Sequence, residues 1–148
     1  MKIAVVSDSH GKKNLIEYIF KNYKFDALIH LGDGDNDLGL YSNLDNVYVV
    51  RGNCDFASTN PVDLNLEFDG VRIFATHGHK YMVKFSRGIL ANEALKTDAK
   101  VALYGHTHKA SDEYVNGVRL INPGALKNNQ FIMLDIASRQ IKINSIFL

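Results

Sequence analysis

Seven side chains that can hold a cation stand at five places along the chain, each just after a short apolar run. Asp8 and His10 follow Ile3–Val6, Asp33 follows Ala27–Leu31, Asn53 follows Val47–Val50, His77 follows Val71–Ala75, and His106 and His108 follow Val101–Tyr104. Imidazole combined with carboxylate and amide oxygens is a borderline-hard donor set, suited to Mn²⁺, Fe²⁺, Zn²⁺, Ni²⁺ or Co²⁺. Ca²⁺ would want nearly all oxygen, and structural Zn²⁺ would want thiolates. Seven donors are too many for one tetrahedral ion. They predict a two-metal centre, its ions roughly 3.5–4 Å apart, with one carboxylate bridging and a water or hydroxide between, an arrangement that hydrolyses phosphate esters.

Asp8/His10 and His106/His108 are spaced i, i+2, so in extended backbone both members of each pair point to one side. Singly, each of these residues reads as turn chemistry or as a hydrogen-bonded histidine. Their coincidence at successive strand ends, where α/β sheets bind ligands, favours a shared site. His30, inside its strand, is read as a buried histidine bonded to backbone. His79 is a candidate for contacting a substrate phosphate or supporting a metal ligand. A mononuclear zinc hydrolase built on His77 and His79 lacks a His-x-His-x-Asp-His pattern and leaves Asp8, His10 and Asp33 without a role.

The elements that must position these residues follow from periodicity. Ile3–Val6 and Ala27–Leu31 read as strands flanking a helix over Lys13–Tyr23, which is a parallel βαβ unit. Val47–Val50 is a third strand. Leu64–Phe68 and Val71–Ala75 flank the Asp69-Gly70 turn, and Glu113–Val115 and Val118–Ile121 flank Asn116-Gly117, so both pairs are predicted hairpins. Gly88–Leu95 reads as a helix with Ile89, Leu90, Ala94 and Leu95 on its apolar side, Val101–Tyr104 as a strand, and Phe131–Ile136 with Ile141–Ile146 as a last antiparallel pair. The economical architecture is α/β: two mixed β-sheets face to face with helices outside.

The chain has 148 residues, fitting one domain over 1–148, and 46% hydrophobic with 22% charged residues excludes disorder. A formal charge of +1 provides no field to recruit nucleic acid or anionic membrane. The only cysteine, Cys54, cannot form an internal disulfide, and the apolar run at the N-terminus is too short for a signal or membrane segment, so a cytoplasmic location is expected.

Asp8-Ser9-His10, Gly32-Asp33, Gly52-Asn53-Cys54-Asp55, Thr76-His77-Gly78-His79 and Gly105-His106-Thr107-His108 resemble, in order, the motif set of the calcineurin-like metallophosphoesterases. The resemblance spans residues 3 to about 125 and is strongest to the compact bacterial and archaeal phosphodiesterases. It implies a four-layer αββα sandwich and two divalent ions, with Mn²⁺ the first expectation. One ion would be held by Asp8, His10 and His108, the other by Asn53, His77 and His106, with Asp33 giving one oxygen to each. The resemblance also implies a metal-bridging hydroxide attacking a phosphodiester, and it allows a homo-oligomer.

Larger members of the family carry histidine where this chain has Cys54. A thiol is a poor substitute for imidazole, so leaving-group protonation is expected to be weak or to come from His79, Asp55 or water. Cys54 itself is not expected to act as a covalent nucleophile. Asn122-Pro123-Gly124-Ala125 resembles the family's Asn-Pro-Gly-Ser stretch and is taken as a turn near the site. The rival reading is a non-catalytic scaffold of the same fold, like a retromer subunit, for which Tyr81, Met82, Val83 and Phe85 would be an exposed interface or lid.

Overall fold

Alternating side chains sort every central strand onto two faces. In β1 (Lys2–Val6), Ile3 and Val5 enter one apolar cluster and Ala4 and Val6 another. In β6 (Val101–Leu103), Val101 and Leu103 join the first cluster while Ala102 joins a third. The computed structural model describes residues 1–148, and these three clusters separate its four layers.

The first sheet has the order β10-β9-β1-β2-β3, with β2 at Ala27–His30, β3 at Val47–Val49, β9 at Gln130–Ala137 and β10 at Gln140–Phe147. The second has the order β4-β5-β6-β8-β7, with β4 at Asp63–Phe68, β5 at Val71–Thr76, β7 at Ser111–Val115 and β8 at Val118–Asn122. β1, β2 and β3 are parallel, as are β5, β6 and β8, so every predicted ligand leaves the carboxyl end of its strand. Both sheets are mixed because hairpin strands flank the parallel ones.

Helix α1 (Lys13–Asn22) buries Ile16 and Ile19 against the first sheet. Helix α2 (Gly88–Lys96) buries Leu90, Ala91 and Ala94 against the second. Ile89 and Leu95, expected on its apolar side, are 51% and 47% exposed, because the contact stripe runs through Ala91 and leaves them on the flanks. The 3₁₀ segment Asp35–Asn43, which periodicity did not reveal, covers part of the first sheet; Leu38 is buried and Tyr41 stacks on Phe20 at 3.9 Å. The Asp69-Gly70 and Asn116-Gly117 turns have positive φ at both residues, as the tight hairpin turn requires. No helix is long and apolar enough to cross a membrane.

The Tyr81–Phe85 stretch differs from expectation. Tyr81 and Val83 are buried in the third cluster, with the Tyr81 hydroxyl donating to Asp63 Oδ2 at 2.5 Å; only Met82 and Phe85 stay exposed. A short 3₁₀ turn at His79–Tyr81 followed by left-handed Met82 alternates these side chains in and out, which a continuous apolar surface would not permit.

Candidate metal centre

The five strand ends meet at one edge of the sandwich, with Asp8, His10 and His108 in one group of close donor atoms and Asp33, His77 and His106 in a second. Asn53 joins the second group, its Oδ1 lying 3.1 Å from His77 Nε2. Extended geometry does not present them. Asp8, His10, Asp33, His106 and His108 all have φ between 42° and 67°. Left-handed backbone costs a non-glycine residue about 1–2 kcal/mol, and such strain concentrates at functional sites. The i, i+2 pairs therefore share a side because both members sit in left-handed turns.

Backbone and buried polar groups hold these turns. Asp8 N donates to Gly32 O at 2.9 Å and His10 N to Asp33 O at 3.1 Å, tying the first two loops together. His30 Nδ1 accepts from Gly32 N at 3.1 Å, and its Nε2 faces Ser9 Oγ at 3.2 Å. With Ser9 donating to Asp37 Oδ2 at 2.6 Å, His30 acts as a neutral ring bonded on both nitrogens, and burial lowers its pKa. Asn122 Nδ2 donates to Gly105 O and to Thr107 Oγ1, both at 3.0 Å, bracing the His106–His108 turn. The turn after Asn122 docks on the first loop: Leu126 N donates to Ser7 O at 2.8 Å, and Ala125 is fully buried.

Two glycines permit the close approach. A Cβ on Gly52 would meet the Asp33 carboxylate, and one on Gly105 would meet Ser7 Oγ and Asp8 Oδ2.

Asp55 is placed differently from its expected acidic role. Its carboxylate accepts four backbone N–H groups: Gly52 at 2.7 Å, Asp33 and Gly34 at 2.8 Å, and Asp35 at 3.3 Å. Burial would raise its pKa, but these donors outweigh burial and lower it. Asp55 holds the Asp33 and Gly52 loops together and has no proton to donate near neutral pH. Asp37 and Asp55 act as loop anchors that the sequence did not single out as such. Four Asp/Asn in Asp33–Asp37 and Asp55 after Gly52-Asn53 were the available signal, a turn signal that names no partner.

The donor atoms fit divalent ions. Asp8 Oδ2 accepts from Ser7 Oγ and from His106 N at 3.0 Å, whereas Asp8 Oδ1 is fully buried with no hydrogen-bond donor. That orphaned oxygen lies 3.0 Å from His108 Nε2 and 3.6 Å from His10 Nε2, and the two ring nitrogens are 3.4 Å apart.

In the second group, His77 Nδ1 donates to Leu31 O at 2.7 Å, which leaves Nε2 with its lone pair. This lone pair faces Asn53 Oδ1 at 3.1 Å, His106 Nδ1 at 3.2 Å and Asp33 Oδ2 at 3.3 Å. Acceptors crowded this way repel unless a positive charge stands among them. Donors bound at ~2.1 Å to one ion lie roughly 3.0–3.4 Å apart, which matches these separations.

Asp33 occupies the junction. Its Oδ1 accepts from Cys54 N at 2.8 Å, while Oδ2 lies 3.3 Å from His77 Nε2 and 3.7 Å from His10 Nε2. One oxygen thus faces both groups and the other accepts from backbone.

Electrostatics follow the same division. Burial would raise the Asp33 carboxyl, but hydrogen bonding and charge from His77, with the Cys54 amide, hold it far below the usual carboxylate range. Burial would lower His77, but the Asp33 and Asp8 carboxylates raise it: without a cation, a proton serves the crowded acceptors. His106 is lowered to about 4, by burial first and then by His77 and Lys84. Burial also lowers His108. Neutral imidazoles of this kind are the form that binds metal.

His79 stands beside the second group, its ring 5.5 Å from that of His77, with a buried Nδ1 lacking a partner. Burial lowers its pKa as well. Cys54 is exposed, its sulfur near His10 and Asp33; burial and the Asp33 charge push its thiol up, away from the reactive thiolate.

Residues 1–138 match the Calcineurin-like phosphoesterase superfamily domain. The chain is 33% identical over 129 residues to the probable metallophosphoesterase YsnB of Bacillus subtilis, covering 86% of this chain and 76% of the relative. It is 32% identical over 146 residues to the phosphodiesterase MJ0936 of Methanocaldococcus jannaschii, covering 84% and 83%. The crystal structure of a conserved uncharacterized protein of Streptococcus pneumoniae, described as a predicted phosphoesterase, superposes with a TM-score of 0.86 at 29% identity, covering 99% of this chain and 88% of that one. Fold, donor set and sequence agree that the chain belongs to the calcineurin-like phosphoesterase superfamily.

Proposed function

We propose that the protein is a phosphodiesterase working through two divalent transition-metal ions, Mn²⁺ first among them. Its coarser character, a metal-dependent phosphoesterase, follows from the family. Asp8, His10 and His108 would hold one ion and Asn53, His77 and His106 the other, with Asp33 serving both. The observation that carries this reading is the meeting of two acceptor groups at Asp33 Oδ2, beside the buried, donorless Asp8 Oδ1. Such a centre would supply an activated water at neutral pH and would neutralise charge growing on the phosphoryl oxygens.

The chain's own residues do the rest. Asp55 and Asp37 fix the loops, the Leu31 carbonyl sets the tautomer of His77, and the neutral amide of Asn53 leaves the centre net positive, attracting an anionic substrate. His79 borders the second group and would meet a phosphoryl oxygen of a bound substrate. Cys54, a weak acid in the position of the family's usual histidine, leaves little help for a departing alkoxide. The phosphodiesterase name of the Methanocaldococcus jannaschii relative supports a diester substrate.

The test is hydrolysis of bis-p-nitrophenyl phosphate and p-nitrophenyl phosphate by metal-stripped protein with Mn²⁺, Ni²⁺ or Zn²⁺ restored, beside Asp33→Asn and His77→Ala. Metal-dependent diester turnover lost in both variants is expected. No turnover with any metal would favour the scaffold reading, against which the full donor set stands.

A further inference from the structure

The amino ends of β5, β6 and β8 border a cavity of about 1000 Å³ at the far end of the sandwich from the metal centre. Four chain turns build its wall: Gly70 and Arg72 from the β4–β5 hairpin, Lys100 before β6, Tyr114 and Arg119 from the β7–β8 hairpin, and Arg139 from the β9–β10 turn. β5 has six residues, so its two ends are about 17 Å apart at ~3.3 Å per residue. A ligand in the cavity is therefore remote from His77.

The charges on this wall are unevenly satisfied. Arg119 is held by Asp112, Nε at 2.8 Å and Nη2 at 2.9 Å, and its Nη1 donates to Ile141 O at 2.9 Å. Arg72 lies between Glu67 at 3.3 Å and Asp98 at 3.0 Å, the two carboxylates that also line the cavity, so each of these acids is already paired with a guanidinium. Lys100 and Arg139 pair with no carboxylate within 4.0 Å. Two features hold these free cations near fixed backbone. Lys100 O accepts from Arg119 N at 2.9 Å, and the Arg139 side chain lies so close to Gly70 that a Cβ there would be 3.1 Å from Nε. Tyr114, on the same wall, is 72% exposed.

We propose that this cavity is a second ligand site, for a small nucleoside phosphate. Lys100 and Arg139 take the phosphate, for which a guanidinium fork and an ammonium are the natural donors, and Tyr114 offers its face to the base. The volume lies at the upper end of small-ligand pockets, roughly 300–1,000 Å³, which suits a nucleotide.

The test is a titration of the full, Mg²⁺-loaded chain with AMP, followed by amide chemical shifts. Saturable shifts are expected at Gly70 and Gly117, separate from any at Gly34 and Gly52 of the metal centre. Lys100→Gln with Arg139→Gln should weaken the cavity set about tenfold or more and leave the metal-centre set unchanged. Tyr114→Ala should weaken AMP and leave inorganic phosphate unaffected. All these side chains are at least partly solvent-exposed, and an unchanged spectrum of the unliganded variants verifies folding. Shifts confined to the metal centre, cavity shifts that survive the double substitution, or inorganic phosphate binding as tightly as AMP would each overturn the proposal.

Discussion

Replacing Asp8 by Asn should stabilise the metal-free protein while removing its stabilisation by metal. Asp8 Oδ1 is buried without a donor and faces the Nε2 atoms of His108 and His10 at 3.0 and 3.6 Å. An Asn amide in its place donates toward those nitrogens, and its oxygen keeps the bonds from Ser7 Oγ and His106 N. Relieving one buried unsatisfied group is worth about 1–3 kcal/mol. For a chain of this size 1 kcal/mol moves Tm by roughly 2–4 °C, so the metal-free variant should melt about 2–12 °C higher. In the native chain, metal at a hundred times its Kd adds about 2.7 kcal/mol, or roughly 5–11 °C, and the variant should lose most of that. Scanning calorimetry at pH 8, after chelation and again with excess Mn²⁺, measures both. A lower Tm for the metal-free variant, or equal gains on adding Mn²⁺, would refute the idea that Asp8 Oδ1 awaits a cation.

Gly52→Ala should weaken Mn²⁺ binding about tenfold or more by titration calorimetry, since its Cβ meets the Asp33 carboxylate and must push the shared oxygen from its place; unchanged affinity would argue against Asp33 as a ligand. Asp55→Asn should cost about 2–4 kcal/mol in denaturant unfolding, because four N–H groups lose a charged acceptor. The depressed Asp55 pKa means that its contribution is fully present above the unfolded value of about 3.9 and is lost as pH falls below it. The variant should therefore lose stability less steeply below pH 4 than the native chain. Cys54→His should raise turnover of diesters with poor leaving groups more than that of aryl diesters, flattening the dependence of rate on leaving-group pKa; a full general acid is worth about 10²–10⁴. A flat dependence already present in the native enzyme would show that another group protonates the leaving oxygen.

Strand positions were legible because burial of both sheet faces imposes apolar runs that stop abruptly, and five of these stops coincided with candidate ligands. Ile3–Val6 and Val101–Leu103 are such runs. The Asp69-Gly70 and Asn116-Gly117 turns were legible because left-handed residues in tight hairpins have few acceptable types. The Ser138-Arg139 turn uses the same positive φ without glycine and offered no such signal. Asp35–Asn43 lacked helical periodicity because Gly39 kinks it. The position of Asp55 in the bonding scheme was illegible for another reason: its partners are backbone N–H groups, which carry no sequence identity.

The loops around the centre show why these residues sit at strand ends. Five candidate ligands adopt left-handed backbone, and a buried carboxylate oxygen without a hydrogen-bond donor stands among crowded ring nitrogens. Both features oppose folding, and both demand a support that does not relax. The two sheets supply it. Apolar packing between them fixes the β1, β2, β5 and β6 ends, while Asp55, His30 and Asn122 convert those ends into rigid turns through bonds to backbone. A flexible loop bearing the same residues would turn its lone pairs toward water and lose the centre. Conflict held by a stiff frame is what makes a divalent cation the stabilising partner, and it sets the donors in place before the cation arrives.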